Sequence, residues 1–240
     1  MALLEVEGLR RSFGGLIAVK DLNFAIQQGE VLGLIGPNGA GKTTVFNLVT
    51  GFLKPDNGKV KFIGEEITGL KPHQICEKGI TRTFQICKPF SRLTVLENVT
   101  IGALIRHGSK KEAREMAKRT IDLLGLSQMI SRPASGLPIV MRKKLEFARA
   151  LATEPRLILL DEIAAGLNPS EVKEVIALIK QVSGPGLTIV VVEHIMRAVM
   201  SVSDRILVLH HGEKIAEGKP VDVARNQKVI DAYLGEKYIF

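Results

Sequence analysis

An eight-residue stretch near the start of the chain constrains the fold more than any other feature. Residues 36–43 read GPNGAGKT and fit the phosphate-binding pattern G-x-x-x-x-G-K-[ST] at every fixed position. The glycines let successive backbone N–H groups turn inward around an anion, and a helix that begins near Gly41 adds its positive dipole end. We expect Lys42 to contact the β- and γ-phosphates, Thr43 to offer its hydroxyl to Mg²⁺, and Thr44 to donate a further hydrogen bond. The sequence therefore predicts a bound nucleoside triphosphate.

The residues on either side of this loop support the same interpretation. Val31 to Ile35 is a short apolar run suited to a buried strand, and Thr43 to Thr50 predicts a helix that Gly51 closes. Strand, loop and helix therefore follow one another in the order that phosphate binding requires. The competing interpretation is a glycine-rich turn that contains a Lys-Thr pair by chance, and this context disfavours it.

Composition and charge narrow the class of protein. A chain of 240 residues is large enough for one domain with lobes, or for a core with an inserted subdomain. The net charge of +8 comes from basic residues scattered along the chain, which favours solvated helix faces over an anionic membrane surface or a nucleic acid. Aromatic residues are few and no nucleic-acid motif is present, so we expect no nucleic-acid partner.

Cysteine spacing and hydropathy bear on the compartment. Cys76 and Cys87 are the only cysteines of the chain, and their spacing fits neither a redox C-x-x-C pair nor a zinc site. The first residues lack the pattern of a signal peptide, and no apolar segment reaches the roughly 20 residues that cross a bilayer. We expect a cytoplasmic protein. If it works at a membrane, we expect it to do so through a partner.

Strands and helices are predicted around the loop in two patterns. Short strands in the first third suggest a small antiparallel sheet beside the core, and strands alternate with helices in the second half. The predicted strands are Leu3 to Val6, Leu22 to Ile26, Lys59 to Ile63, Leu157 to Leu160, Thr188 to Val192 and Ile206 to Leu209. The predicted later helices are Ser170 to Gln181, with Ser170 as a possible N-cap, Ile195 to Val202 and Val221 to Leu234.

A helical block separates these two parts. Between about Leu93 and Leu126 the apolar residues follow helical periodicity. Thr94 is a plausible N-cap with Glu97 in the capping-box position, and a charged helix is expected from Ser109 toward Leu124. We interpret this block as a helical insertion into the core.

Two carboxylates follow the apolar run at residues 157–160. Charge at the end of a buried strand is costly unless a cation or a water network receives it, and here that cation is predicted to be Mg²⁺. Asp161 is expected to hold the coordination shell of the metal through water, and Glu162 to polarise the water that attacks the γ-phosphate. Alone, the motif could equally be a strand that ends in an acidic turn, but beside a phosphate-binding loop it favours ATP hydrolysis.

A third polar group stands at the end of the run at residues 190–192. That run delivers Glu193 and His194 to the edge where parallel sheets bind their ligands, so His194 could contact the γ-phosphate. A lone histidine at a strand end is more often a capping or surface residue. Gln85 is a weaker candidate still from spacing alone.

The order of these motifs resembles the nucleotide-binding subunit of an ABC transporter over essentially the full chain. Residues 46–51, 82–85 and 232–235 are most similar to one of the paired ATPases of branched-chain amino acid importers. The family motifs match Phe13 as the aromatic that stacks on adenine, Gly36 to Thr44 as the Walker A loop, Gln85 as the Q-loop glutamine, Asp161 and Glu162 as Walker B with its catalytic glutamate, Ala165 to Asn168 as the D-loop, and His194 as the switch histidine.

The resemblance implies a fold and a function. The fold is α/β, a P-loop NTPase (RecA-like) core with a flanking antiparallel β subdomain and an inserted helical subdomain. One ABC ATPase domain spans residues 1–240, with the core and β subdomain at 1–90 and 137–240 and the helical subdomain at 91–136. The implied function is ATP hydrolysis that energises uptake of branched-chain or related amino acids.

The resemblance also implies partners and a place of action. The partners are separate membrane permease subunits, a second ATPase subunit in a head-to-tail dimer, and an extracytoplasmic substrate-binding protein reached through the complex. The chain is then peripheral, on the cytoplasmic face of the cell membrane. An ABC-type ATPase of a soluble machine is the alternative, and a GTPase or small-molecule kinase is a more distant one because no N-K-x-D motif follows the loop.

The predicted site combines the local motifs with these family roles, and ATP and Mg²⁺ are its expected cofactors. Glu162 and His194 are the predicted catalytic residues. The predicted ATP-binding residues are Phe13, Gly36, Pro37, Asn38, Gly39, Ala40, Gly41, Lys42, Thr43 and Thr44, and the predicted Mg²⁺ ligands are Thr43, Gln85 and Asp161.

One departure from the family pattern is large. The L-S-G-G-Q signature position is occupied by residues 137–141, LPIVM, which lack the serine and both glycines. In the family this segment opens a helix whose N-terminus grips the γ-phosphate bound by the opposite subunit, so Pro138 removes a donor and Val140 crowds the approach. Ser135 and Gly136 could serve only in a shifted register.

This departure predicts an unequal pair of ATP sites. The nucleotide on Lys42 is expected to be completed by a normal partner signature and hydrolysed with Glu162. The nucleotide of the partner is expected to face the degenerate segment of this chain, which favours a heterodimer. Milder departures are Ile163 for the usual proline and Asn168 for the usual aspartate.

Overall fold

The computed structural model, which describes residues 2–184, 186–193 and 195–235, begins with a long β-hairpin. Strands β1 (Ala2–Phe13) and β2 (Leu16–Gln27) pair antiparallel, and both are longer than the predicted short strands. Register shifts near Leu9 and Arg11 interrupt the alternation of buried and exposed residues, so the sequence pattern detects only fragments of each strand. With β4 (Asn57–Phe62) and β5 (Glu65–Glu66), the hairpin forms a sheet of order β2-β1-β4-β5.

A larger sheet contains six strands: β3 (Val31–Ile35), β6 (Ile80–Arg82), β7 (Leu157–Asp161), β8 (Thr188–Val192), β9 (Arg205–His210) and β10 (Glu213–Gly218). Their order in the sheet is β10-β9-β3-β8-β7-β6. Its strands are parallel except β10, which pairs antiparallel with β9. The strands predicted at residues 31–35 and 188–192 are confirmed, whereas β6 and β10 were not predicted.

Strand β7 is buried on both faces, and this explains its unbroken apolar sequence. Leu157 and Leu159 belong to a core shared with the hairpin sheet. Ile158 and Leu160 point the other way, into a core shared with the helices. Because successive side chains of a strand alternate between faces, a strand covered on both sides must be apolar at every position.

Helices cover the second face of this sheet. Thr94 caps α3 (Val95–Ala103) through a capping box with Glu97, and Ser109 caps α4 (Lys110–Leu123), so both predicted helix starts are confirmed. Helix α3 packs on α4 and on α5 (Ile139–Leu151). No helix among residues that the structure describes is long and apolar enough to cross a bilayer.

Two predicted helix boundaries are wrong. Helix α6 (Pro169–Val182) is capped by Asn168, not Ser170, because the Asn168 side chain accepts the backbone N–H groups of Ser170 and Glu171 at 3.0 Å. The predicted helix at 221–234 is split into α8 (Pro220–Ala224) and α9 (Gln227–Gly235). The split lies at Asn226, whose side chain accepts the N–H of Lys228. The other helices are α1 (Lys42–Val49), α2 (Pro72–Lys78) and α7 (Met196–Val202).

The parallel strands bring their carboxyl ends to one edge of the larger sheet. The glycine-rich loop follows β3, Gln85 lies just after β6, and Glu162 follows β7. His211 comes after β9 at the same edge. Ligands of parallel sheets bind at such an edge, so the fold itself gathers the chemically active residues there.

Candidate nucleotide site

The phosphate-binding loop between β3 and α1 depends on glycine at two close contacts. Gly36 has a φ of 152°, and an added Cβ would lie 2.2 Å from the carbonyl oxygen of Leu209. Gly41 has a φ of 101°, and its added Cβ would lie 2.4 Å from the carbonyl oxygen of Ala18. Neither distance leaves room for a side chain beside the backbone, so glycine alone lets the loop pack against β9 and the hairpin.

The lysine of the loop is folded back over it. Lys42 is buried, and its Nζ donates hydrogen bonds to the carbonyl oxygens of Gly36 at 2.6 Å and Pro37 at 2.9 Å. The residue is also the first of α1, where the helix dipole is positive. The ammonium and the helix N-terminus together create a positive site that suits a polyphosphate.

A cavity of 480 Å³ gathers most of the predicted residues. Gly36 and Pro37 lie outside its lining, where their carbonyls accept Lys42, and His194 lies outside the residues that the structure describes. The lining consists of Phe13, Leu16, Ile17, Ala18, Asn38, Gly39, Ala40, Gly41, Lys42, Thr43, Thr44, Gln85, Glu162 and His211. An aromatic ring, a positive loop and a carboxylate therefore share one space.

The carboxylate of this cavity is held by a glutamine. Gln85 Nε2 donates to Glu162 Oε2 at 2.7 Å. Glu162 has a φ of 49°, in a region that residues other than glycine rarely adopt, and its N–H donates to the carbonyl oxygen of Val192 at 2.8 Å. A carboxylate fixed in this way beside a phosphate-binding loop can orient a water and accept its proton.

Asp161, the last residue of β7, is paired with a buried arginine. Arg82 Nη2 donates to Asp161 Oδ2 at 2.8 Å, and both side chains are almost completely buried. The guanidinium also donates to Asn47 Oδ1 at 2.6 Å and lies over the Phe84 ring. Burial raises the pKa of Asp161 above its ordinary value, while the Arg82 charge opposes that shift. Arg82 thus stabilises the charged carboxylate against its buried surroundings.

A neighbouring cavity of 510 Å³ contains Thr43, Gln85 and Asp161, the three predicted Mg²⁺ ligands. A hydroxyl, an amide and a carboxylate supply the oxygen donors that Mg²⁺ prefers, so these residues fit the metal. Among the described residues, no group of three or more His, Cys, Asp and Glu side chains could hold a metal ion. A cation held here therefore relies on the threonine and glutamine oxygens as well as on Asp161.

The sequence interpretation missed His211, which lines the nucleotide cavity. Its φ is 48°, and the following residue, Gly212, donates its N–H to the Ala40 carbonyl oxygen at 3.1 Å. Gly212 in turn accepts the N–H of Lys20 at 2.9 Å, which holds the turn between the phosphate-binding loop and β2. The strand-end argument that selected His194 also applies to the end of β9 and could have found His211.

The segment at residues 137–141 begins α5 without a polar cap. Pro138 is the N-cap residue and its side chain makes no capping hydrogen bond. Ile139, the first helical residue, is 52% exposed, and its Cδ1 lies 3.6 Å from the position of a Cβ added at Gly166. Val140 is buried. The helix therefore presents an apolar start at the place where the family signature supplies a serine and glycines.

Comparison with protein families identifies two matching regions. The family described as ABC transporter matches residues 19–165. A second family, described as branched-chain amino acid ATP-binding cassette transporter, matches residues 213–239. The first match contains the phosphate-binding loop, Gln85, Asp161 and Glu162.

Curated relatives match the chain from end to end. The high-affinity branched-chain amino acid transport ATP-binding protein BraF of Pseudomonas aeruginosa is 42% identical over an alignment of 251 positions that covers 98% of each chain. The corresponding protein LivG of Escherichia coli is 41% identical over an alignment of 250 positions, again with 98% of each chain covered. Identity at this level over the full length implies the same fold and the same arrangement of motifs.

Solved structures agree with these relatives. The ADP conformation of MJ1267, an ATP-binding cassette of an ABC transporter, has a TM-score of 0.89 and 32% identity, with 98% of this chain and 99% of that chain covered. A dimeric post-hydrolysis state of the cassette MJ0796, bound to ADP and phosphate, has a TM-score of 0.81 and 26% identity, with 90% and 98% covered. The chain belongs to the ABC transporter family as an ATP-binding subunit, and it is an ATPase.

Proposed function

We propose that this subunit hydrolyses ATP with Glu162 as general base and thereby energises uptake of branched-chain amino acids through separate permease subunits. One observation carries the proposal: Glu162, bonded to Gln85 at 2.7 Å, lines the same 480 Å³ cavity as Lys42 and the glycine-rich loop. The carboxylate thus shares a cavity with the group that holds a phosphate, which is the arrangement that base-assisted hydrolysis needs.

Different residues of the chain are proposed to bind different parts of the nucleotide. Phe13 offers a ring for the base, and the loop N–H groups with Lys42 hold the phosphates. Gln85 fixes the carboxylate of Glu162, which orients the attacking water and takes its proton. Preorganised groups of this kind lower the barrier because they need not rearrange as charge develops.

Thr43, Gln85 and Asp161 are the residues proposed to hold Mg²⁺. When bound, the metal neutralises charge on the β- and γ-phosphate oxygens. The Asp161 carboxylate already accepts a hydrogen bond from Arg82 at 2.8 Å, so its remaining acceptor capacity would hold the metal through water. His194, which follows β8 in the sequence, completes the proposed set as a γ-phosphate contact.

A second ATPase subunit is proposed to complete the site from outside. Dimeric cassettes are known among the similar structures. Because α5 begins with Pro138 and the exposed Ile139, this chain lends an apolar surface to the nucleotide of its partner. A partner with a polar signature would complete the site at Lys42, so we propose a heterodimer with one fully competent site.

The proposed assembly lies on the cytoplasmic face of the membrane. Permease subunits hold the ATPase pair there, and a substrate-binding protein delivers the cargo from the other side. The substrate class rests on the names of BraF and LivG, each a high-affinity branched-chain amino acid transport protein.

Within the chain, we propose residues 91–136 as a helical subdomain inserted in a core of residues 1–90 and 137–240.

The test uses the assembled transporter with Glu162→Gln. The substitution keeps the shape and removes the base, so ATP turnover should fall by about 100-fold or more, since general bases contribute roughly that factor. Glu174→Gln on the half-exposed face of α6 is the matched control and should leave turnover unchanged. Near-normal turnover of the Glu162 variant would overturn the assignment. Uptake of leucine, isoleucine and valine, measured against unrelated amino acids, tests the substrate class separately.

A further inference from the structure

A buried lysine joins the two segments that carry Gln85 and Glu162. Lys143 on α5 is 5% exposed. Its Nζ donates to the backbone carbonyl oxygen of Glu162 at 2.9 Å and lies 3.3 Å from that of Gln85. An ammonium so far from water needs such acceptors, and here both belong to residues whose side chains bond to each other.

The hydrogen bond from Lys143 meets Glu162 where its backbone conformation is unusual. Glu162 is held at a φ of 49°, which costs a residue with a side chain about 1–3 kcal/mol unless its surroundings enforce it. Its N–H is fixed by Val192 at 2.8 Å, and its carbonyl oxygen accepts both Ala165 N–H at 3.1 Å and Lys143 at 2.9 Å. Lys143 is therefore one of the groups that keep this backbone, and with it the direction of the carboxylate.

The position of Lys143 on α5 gives the contact a second consequence. The same helix begins at Ile139, in the segment that is proposed to face the nucleotide of the partner. Only about one helical turn separates that start from Lys143, so the two move together. Any displacement of α5 relative to β7 changes the distance between the Lys143 ammonium and the Glu162 carbonyl.

We propose that Lys143 is a positioning residue for Glu162, and that it couples the placement of the segment at 137–141 to the catalytic carboxylate of the same chain. The proposal rests on the proposed function of Glu162 as general base. It concerns the orientation of that base, because Lys143 contacts backbone carbonyls and is absent from the lining of the nucleotide cavity.

The experiment compares Lys143→Met, Lys143→Arg and Lys144→Met in the assembled transporter. Loss of hydrogen bonds from a charged donor should lower kcat about 10- to 100-fold in Lys143→Met, with KM for ATP changed by less than about threefold. Lys143→Arg keeps the donor and should recover kcat to within about fivefold of the parent. Lys144, the next residue of the helix, pairs with Glu174 of α6 and with neither catalytic segment, so its substitution should change kcat by less than about twofold.

The outcomes separate this proposal from the proposed function. Equal losses in kcat and in ATP affinity, or failure of Lys143→Arg to restore turnover in a folded complex, would overturn the positioning role. In the Glu162→Gln background, Lys143→Met should lower residual turnover no further, and a full additional loss would likewise contradict the proposal. High turnover of Glu162→Gln alone would instead refute the proposed base. If Lys143→Met fails to assemble, Lys143→Gln provides the same comparison with a shorter polar side chain.

Discussion

In the proposed dimer the chain contributes two surfaces to nucleotide sites, and they differ in chemistry. The cavity at Lys42 contains a buried ammonium, a helix N-terminus and a carboxylate held by Gln85. The segment at 137–141 presents Pro138 and an exposed Ile139 at the start of α5. The difference teaches that, in the proposed dimer, the two halves of a composite site are determined separately: one chain combines a complete catalytic half with a signature half that lacks polar groups.

The most severe test of this comparison removes the lysine of the complete half. Lys42→Ala leaves the loop carbonyls of Gly36 and Pro37 without their donor and the phosphates without the ammonium. Loss of one preorganised charge of this kind typically lowers turnover by about 100-fold or more. ATPase assays of the assembled transporter measure it, and turnover above about one tenth of the parent value would mean that the two halves are more alike than proposed.

A second substitution tests how the complete half keeps its charges buried. Arg82→Met leaves Asp161 without its cation in a site where both side chains are almost fully buried. Removing one member of such a pair costs about 3–5 kcal/mol in the free energy of unfolding. Urea unfolding measures the change, with Lys118→Met as the control because Lys118 and its partner Glu115 are both about half exposed and such pairs contribute about 0–1 kcal/mol. Equal changes in the two variants would show that Asp161 does not depend on Arg82.

A third prediction tests the residue that the cavity adds to the sequence motifs. His211→Ala should weaken binding of both ATP and ADP about three- to tenfold, the effect of about one lost hydrogen bond. His211→Asn tolerates the φ of 48° and separates the imidazole from the backbone conformation. If Asn restores binding fully, the imidazole itself contributes nothing. Calorimetric titration of the two nucleotides provides the measurement.

The smallest effect is expected from repairing the apolar half. Replacing Pro138, Ile139, Val140 and Met141 with Ser, Gly, Gly and Gln recreates the family signature. Turnover should rise by no more than about twofold, because two competent sites would then work where one did. A much larger rise would mean that the apolar segment also restrains the site at Lys42. Thermal unfolding is the control, since each glycine in a helix costs about 1 kcal/mol.

Local motifs predicted much of the site. The cavity contains Phe13, the loop from Asn38 to Thr44, Gln85 and Glu162, all of which sequence motifs or the family resemblance had selected. The loop is predictable because its glycines and its lysine act within a few residues of one another. The carboxylates of β7 are predictable because a parallel strand must end at the edge where ligands bind.

The partners of those residues were not predictable in the same way. Arg82 meets Asp161 across 79 positions of sequence, and Lys143 reaches Gln85 across 58. Such contacts depend on which strand lies beside β7 and on how α5 is oriented where it packs on the sheet. Short elements such as β6, with three residues, leave too weak a pattern to predict that neighbour.

The sequence by itself determined the phosphate-binding loop, the two carboxylates that follow an apolar strand, and the loss of the polar signature at residues 137–141. Each of these depends on residue type and short-range spacing, which the chain carries before it folds. The tertiary structure alone decided that Arg82 pairs with Asp161, that His211 lines the cavity, and that Lys143 donates to the backbone carbonyl of Glu162. Those contacts exist only once packing brings distant segments together at one edge of the sheet.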